Sequence, residues 1–344
     1  NGLTATLDAK GWCEDGKHIF DKAVAEAIAE ANKVFVSKSV VEEKEAKPRA
    51  PFTTSTLQQA ASSILKFTPA NTMKYAQALF EQGAISYHRT DTPNLSEDAF
   101  CLVKEFLTSI GKDTQQTQLK WATKESAQEA HEAIRPTDPA DENCGETEQQ
   151  RKLYQLIRER RLASVMPPAV DIVTSIEFTT FDEITAGEVV SQAKFTVSGK
   201  VQKYPGWRVI AEIEKPGSND NELPATAEEG EEFDVETNLL TKSTEPPSRF
   251  TEATLIKALE KLGIGRPSTY ASIMENIKSR GYIIIGDGKK KSDNKIRPTE
   301  TGEMLVDALD AMTFMNLDYT RILESHLDKI AAGQSNYFQL VKSV

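Results

Sequence analysis

The apolar positions along the chain change period more than once, and those changes divide it. Val24, Ile28, Ala31 and Phe35 follow helical spacing while Val34 to Val41 trends extended, so residues 1 to 46 read as a strand and a helix. Lys47 to Phe52, with two prolines, reads as a linker or crossover. Strong helical patterning follows: Leu57, Ala60, Ala61, Ile64 and Leu65 form one stripe, and Met73, Ala76 and Phe80 form another that stops at Gly83. Ala84 to Pro93 is a short irregular or extended segment. Ser96 caps a helix carrying Ala99, Leu102, Val103, Phe106, Leu107 and Ile110, which ends at Gly111. A last helix of this group runs from about Glu148 to Ser164, before Pro167-Pro168.

From Asp171 to about Val235 the period becomes two, with Ile176, Phe178, Val190, Phe195, Val197 and Val209 separated by turn residues. This predicts an antiparallel sheet, which could pair with the opening piece if the helical residues between them are an insertion. Residues 246 to 344 return to helix. Thr251 caps a helix with Leu255, Ile256, Leu259 and Leu262, and Ser268 starts another with Ile273 and Ile277 that ends at Gly281. Tyr282 to Ile285, the Gly286-Asp287-Gly288 turn, Lys289 to Lys291 and Ile296-Arg297 then form a two-stranded wing. Helix, turn, helix and basic wing together make a DNA-binding pattern.

Length and composition fit this division. A chain of 344 residues can bury more than one core, and two or three domains are expected. No apolar run approaches the roughly 20 residues that cross a bilayer, and no secretory signal opens the chain, so a cytoplasmic protein is expected. Cys13, Cys101 and Cys144 are far apart and never paired as Cys-x-x-Cys, which argues against a disulfide framework or a zinc site. The chain opens at Asn1-Gly2 and runs straight into strand-like sequence, as a piece of a longer protein would.

The net charge of -11 argues against a nucleic-acid partner until its distribution is considered. Glu212 to Glu245 holds eleven acidic and two basic residues, whereas Pro246 to Glu300 holds eleven basic and six acidic. An acidic protein can therefore still offer a basic surface to phosphate.

The segment with the most chemistry is Ile85-Ser86-Tyr87-His88-Arg89-Thr90-Asp91. In extended backbone, a tyrosine two residues from an arginine shares a face with it. A phenol with a pKa near 10 needs help to lose its proton, and a guanidinium can steady both a phenolate and a pentavalent phosphorus transition state. Taken alone, Tyr-x-Arg is more often a core tyrosine beside an ion pair. Glu129-Ala130-His131-Glu132-Ala133-Ile134-Arg135-Pro136-Thr137 adds a histidine able to donate to phosphate or shuttle a proton, though in isolation it is equally a structural histidine. Gly263-Ile264-Gly265-Arg266-Pro267-Ser268-Thr269 offers amides, hydroxyls and a guanidinium to a phosphate at a helix start. Its glycines follow a helix instead of a strand, which weakens any dinucleotide-loop reading.

Four blocks in order, Pro51 to Ser62, the Tyr87 segment through Leu95-Ser96, His131 to Asp138, and Arg249 to Gly281, resemble the type IA DNA topoisomerases, most closely the bacterial enzymes. The resemblance implies an α+β multidomain fold that contributes part of a torus. Residues 1–49 and 169–243 would form a β-rich arch, residues 50–168 an inserted helical domain bearing the tyrosine, and residues 244–344 a helical, winged-helix-like base. It implies that Tyr87 forms a 5'-phosphotyrosyl link, that Arg89 assists, and that His131 belongs to the phosphate-side network. Arg249, Arg266, Ser268 and Thr269, with Arg135 and Thr90, would contact DNA, mainly single-stranded, with the protein a monomer. The relaxation implied needs no ATP. Nothing matches the family's magnesium-binding Toprim domain or its C-terminal zinc ribbons, so Mg2+ is expected to bind outside these residues and the isolated chain to bind DNA without relaxing it. Two rivals remain: a non-catalytic DNA-binding module, and a tyrosine recombinase or type IB enzyme that would link to the 3' side.

Overall fold

The computed structural model describes residues 3–123, 131–186, 189–211, 213, 227–286 and 294–343. Glu129 and Ala130 of the His131 block, the Asp287-Gly288 tip of the wing and the Lys289 to Lys291 run lie outside them. The chain forms two compact units. The first comprises Asn1–Lys47, Pro168–Gly206 and Pro216–Pro246, and the second Pro48–Pro167, Trp207–Lys215 and Pro247–Val344.

The first unit is built on a sheet. Among the described residues it contains β1 (Thr6–Leu7), α1 (Lys22–Ala29), β2 (Lys33–Ala46), β3 (Ala169–Thr180), the short pair β4 (Ile184–Ala186) and β5 (Val189–Ser191), β6 (Lys194–Tyr204) and β7 (Glu232–Asp234). The main sheet runs β1-β6-β3-β2-β7 with antiparallel pairing, so the opening strand does join strands from far along the chain. Val34, Val36, Ile176 and Phe178 cluster in its core, and Val24 and Ile28 of α1 gather with Trp12 and Ala193 in another cluster. Each buried valine, isoleucine or phenylalanine among them contributes roughly 1.5–3 kcal/mol relative to exposure. The helical stripe read as far as Phe35 stops earlier: α1 ends at Ala29, and Phe35 lies in β2. Branched and aromatic residues at 34–36 favour a half-buried strand over another helical turn. Val209, read as strand, belongs instead to the second unit and sits in a 3-10 turn over Gly206–Val209.

The second unit is mainly helical, with α2 (Thr54–Ala60), α3 (Pro69–Glu81), α4 (Glu97–Ser109), α5 (Glu148–Ala163), α6 (Glu252–Leu262), α7 (Tyr270–Ser279), the pair β8 (Ile283–Ile285) and β9 (Ile296–Pro298), α8 (Glu300–Leu309), α9 (Leu317–Ala331) and α10 (Tyr337–Ser343). Thr53, Ser96, Thr147 and Thr251 cap their helices by accepting a hydrogen bond from a first-turn amide. The stripe through Ile64 and Leu65 is not one helix. After α2, residues Ala61–Leu65 take a wider π turn that closes on left-handed Lys66 and keeps Ile64 and Leu65 packed on the core. Ser268 does not start α7 either: Thr269 holds that position without a side-chain cap.

Phe52, Leu57, Ala61, Ala76, Leu79, Leu153, Leu156 and Ile157 form the main core of this unit, and Ile85 and Ile134 are buried among them. Those two isoleucines fix the backbone on which the chemistry-bearing residues stand. Farther along, Gly302 near the start of α8 comes so close to Tyr282 that a Cβ there would lie 2.2 Å from the Tyr282 carbonyl oxygen. Gly302→Ala is therefore expected to destabilise the second unit by about 1–3 kcal/mol, the usual range for overpacking, read as a lowered urea midpoint. An unchanged midpoint would mean that α8 moves away without loss.

Candidate active site

Three stretches of chain meet around Tyr87. Ile85 bridges Pro136, and Phe52 bridges Ile134, both antiparallel. The Ser86 amide donates to the Arg135 carbonyl at 2.8 Å, and the Ser86 hydroxyl accepts from the Arg135 amide at 3.0 Å and donates to the Ala133 carbonyl at 3.0 Å. Thr54, at the start of α2, donates its hydroxyl to the His88 carbonyl at 2.8 Å and accepts from the Thr90 amide at 2.9 Å, while its own amide donates to the Thr90 carbonyl. The Tyr87 segment is thus pinned at the Ser86 amide, the His88 carbonyl and both backbone groups of Thr90 without belonging to a sheet.

Burial alternates along it. Tyr87 is 46% exposed, His88 fully buried, Arg89 half-buried and Thr90 buried. Tyr87 and Arg89 are therefore the less buried side chains of this stretch, the alternation that the Tyr-x-Arg spacing predicts. The Tyr87 ring packs edge-on against Phe80 at 5.3 Å and against His88 at 5.5 Å, and it lies 6.2 Å from the His131 ring. Arg89 is held at its far end, where Nη1 donates to the Ser268 carbonyl at 3.2 Å. The structure thus brings Tyr87, Arg89, His131 and Ser268 into one neighbourhood.

The other expected DNA contacts fare differently. Arg249 is exposed. Thr90 is buried, and its hydroxyl accepts from the Thr92 amide at 3.2 Å, so its polar groups serve the fold. Arg135 makes a two-pronged pair with Glu132, at 2.9 and 3.2 Å, and also donates to the Pro136 carbonyl. Arg266 pairs with Glu324 at 2.7 Å and Asp328 at 2.5 Å. Burial opposes the charge on Arg266, but the Asp328 hydrogen bond and the charges of Asp328 and Glu324 outweigh it and raise its pKa above the ordinary arginine value. The Thr269 hydroxyl is used inside its own turn, accepting from the Arg266 amide at 2.8 Å.

Sequence reasoning missed Thr54, Glu132, Glu324 and Asp328. Glu132 stands three residues before Arg135, a spacing that allows an ion pair. Glu324 and Asp328 share one face of a helix by their i,i+4 spacing, but nothing in the sequence says which distant arginine that face meets. Arg161 was also passed over. It is 1% exposed, donates to the Ala99 carbonyl at 2.7 Å and the Ser164 hydroxyl at 3.0 Å, and burial, joined by the charge of Arg135, pushes it down to about 9.

Among the described residues His88 has no hydrogen-bond partner at either ring nitrogen, and burial, with the nearby charge of Arg89, lowers its pKa from 6.5 to about 4. Above pH 6.5 the imidazole is neutral whether the chain is folded or not; between 6.5 and 4 only the unfolded chain takes up the proton. Stability should therefore fall as pH falls through that window, with His88 contributing a loss of at most about 3 kcal/mol by pH 4. His88→Leu should flatten this part of the stability-pH curve. Parallel curves for the variant and the parent would show that the ring does gain a partner on protonation.

The chain matches a family model described as DNA topoisomerase over residues 3–342. It is 39% identical to the Xylella fastidiosa protein named "DNA topoisomerase I, plasmid", over 96% of this chain and 50% of that protein. It is 37% identical to DNA topoisomerase 1 of Escherichia coli, over 85% of this chain and 33% of that protein. The solved structure of full-length topoisomerase I from Thermotoga maritima superposes with a TM-score of 0.79 at 30% identity, covering all of this chain and 55% of the other. The chain thus spans half or less of the length of these two named relatives. Matched nearly end to end by the family model, and sharing its α+β fold with the Thermotoga enzyme, the chain belongs to the bacterial DNA topoisomerase I family of type IA enzymes.

Proposed function

We propose that this chain carries the strand-cleaving tyrosine of an enzyme that relaxes negatively supercoiled DNA by breaking one strand, passing the other and resealing. The support lies in how Tyr87 is displayed: its ring is exposed on a backbone fixed by Thr54 and Ser86, with Arg89 on the same side and His131 beside it. In the proposed step the Tyr87 hydroxyl oxygen attacks phosphorus and gives up its proton. The bond from phosphorus to the 3' oxygen breaks, that oxygen takes a proton, and the 5' phosphate stays on Tyr87. Resealing reverses the exchange. One phosphodiester replaces another, so ATP is not needed.

Arg89 stabilises the charge that gathers on the phosphate oxygens, where a fixed cation acts most strongly. His131 donates to the phosphate or moves the phenolic proton. Arg249 and the Ser268–Thr269 turn face single-stranded DNA, and the protein works as a cytoplasmic monomer. The family resemblance brings Mg2+ with it. Among the described residues no three histidine, cysteine, aspartate or glutamate side chains group so as to hold a metal ion. The described residues do not fit such a site, and in this reading the metal is held by the part of the relatives' length that this chain does not span.

In a complete polypeptide carrying that part, Tyr87→Phe should abolish the covalent DNA adduct while leaving affinity for single strands within a few-fold; an adduct in this variant would remove Tyr87 as nucleophile. Arg89→Ala should slow adduct formation about a hundredfold, measured in single-turnover cleavage of a labelled oligonucleotide. The 344-residue chain alone should bind single-stranded DNA yet fail to relax a supercoiled plasmid with magnesium present. Robust relaxation by it would show that the active site is complete within these residues.

A further inference from the structure

The α6–α7 turn, residues 263–269, has the composition of a phosphate cradle, but an anion of the protein itself already sits in it. Glu324 on α9 accepts from the Gly265 amide through both carboxylate oxygens, at 2.8 and 3.1 Å, and from Arg266 Nη1 at 2.7 Å. Asp328, one helical turn on, accepts from Arg266 Nη2 at 2.5 Å. Two carboxylates thus face one guanidinium. A phosphate approaching Arg266 would meet excess negative charge and would have to displace charge-assisted bonds at a partly buried site.

The turn that Arg266 anchors is closed on itself. The Thr269 amide donates to the Arg266 carbonyl at 2.9 Å, and the Arg266 amide donates to the Thr269 hydroxyl at 2.8 Å. Gly265 takes a φ of +82°, and a Cβ there would lie 3.0 Å from the buried Tyr270 ring, so the backbone has little room to shift. Between Arg266 and Thr269, Ser268 presents its carbonyl to Arg89 Nη1. The far end of the arginine beside Tyr87 is therefore held by a turn that α9 clamps.

We propose that Arg266 is a positioning residue and not a phosphate ligand, and that Glu324 and Asp328 clamp it so that the Ser268 carbonyl orients Arg89 toward the strand attacked by Tyr87. This rests on the assignment of Tyr87 and Arg89 to the cleavage step. The clamp works through geometry: losing it leaves the charge of Arg89 in place but lets its guanidinium wander, and misplacement by about 1 Å can cost up to about a hundredfold in rate.

A double-mutant cycle in the complete polypeptide tests the route, with single-turnover adduct formation on a labelled single-stranded oligonucleotide as readout. Glu324→Gln, which keeps shape and removes charge, should slow adduct formation about tenfold when Arg89 is present and cause no further loss in an Arg89→Ala background. Asp328→Asn, on the more exposed partner, should repeat the pattern more weakly and serves if Glu324→Gln does not fold. Arg266→Ala should leave the slope of single-strand affinity against salt unchanged. A slope lower by about one would mean that a phosphate contact was lost and would overturn the proposal, as would losses at Glu324 and Arg89 that simply multiply. Tyr87→Phe in the same assay separates the two levels. If that variant still forms the adduct, the nucleophile assignment fails, while the salt slope of Arg266→Ala continues to report on whether Arg266 touches DNA.

Discussion

A chain that crosses a protein interior outside helix and sheet must still find partners for its amides and carbonyls, and the Tyr87 segment shows how that demand is met. Thr54 is buried at the first turn of α2, where its hydroxyl both donates to the His88 carbonyl and accepts from the Thr90 amide. Ser86 plays the matching part toward Ala133 and Arg135. Leaving such a group unpaired in the interior costs about 1–3 kcal/mol, so these hydroxyls specify one path for the backbone. On that path Ile85 is buried, His88 is buried, and Tyr87 is left facing outward.

The charge balance around this path shows why counting basic residues says little about which of them are left to meet an anion. Arg135 is taken up by Glu132, Arg266 by Glu324 and Asp328, and Arg161 by carbonyl and hydroxyl oxygens inside the second unit. Arg160 lies 4.0 Å over the Phe52 ring and donates to the Ala50 carbonyl. These guanidiniums act as struts, since a planar group with five donors can tie several backbone segments together where a lysine could not. Arg89 belongs to both classes, with one nitrogen committed to Ser268 while its residue flanks the exposed tyrosine.

The sequence by itself determined the local elements and which chemistry-bearing residues are neighbours along the chain. Helix stripes with their threonine and serine caps at Ser96 and Thr251, the switch to period two after residue 170, and the Tyr-x-Arg spacing depend on neighbours within a few residues, so they survive in a linear reading. The family was legible too, because its blocks are short and ordered along the chain. Tertiary structure decided what depends on partners far away in sequence. The helix stripe read through Phe35 failed because pairing with β3 claimed that residue for a strand, and the α2 stripe gave no hint of the wider turn at Ala61 that fits it to the core. The sequence offers Arg266 to a phosphate and gives no sign of its carboxylate partners, which lie 58 and 62 residues away on α9. Composition shows which charges a chain owns. Only packing brings particular charges within hydrogen-bonding distance, because the interaction that commits a guanidinium falls off over a few ångströms and not over sequence separation.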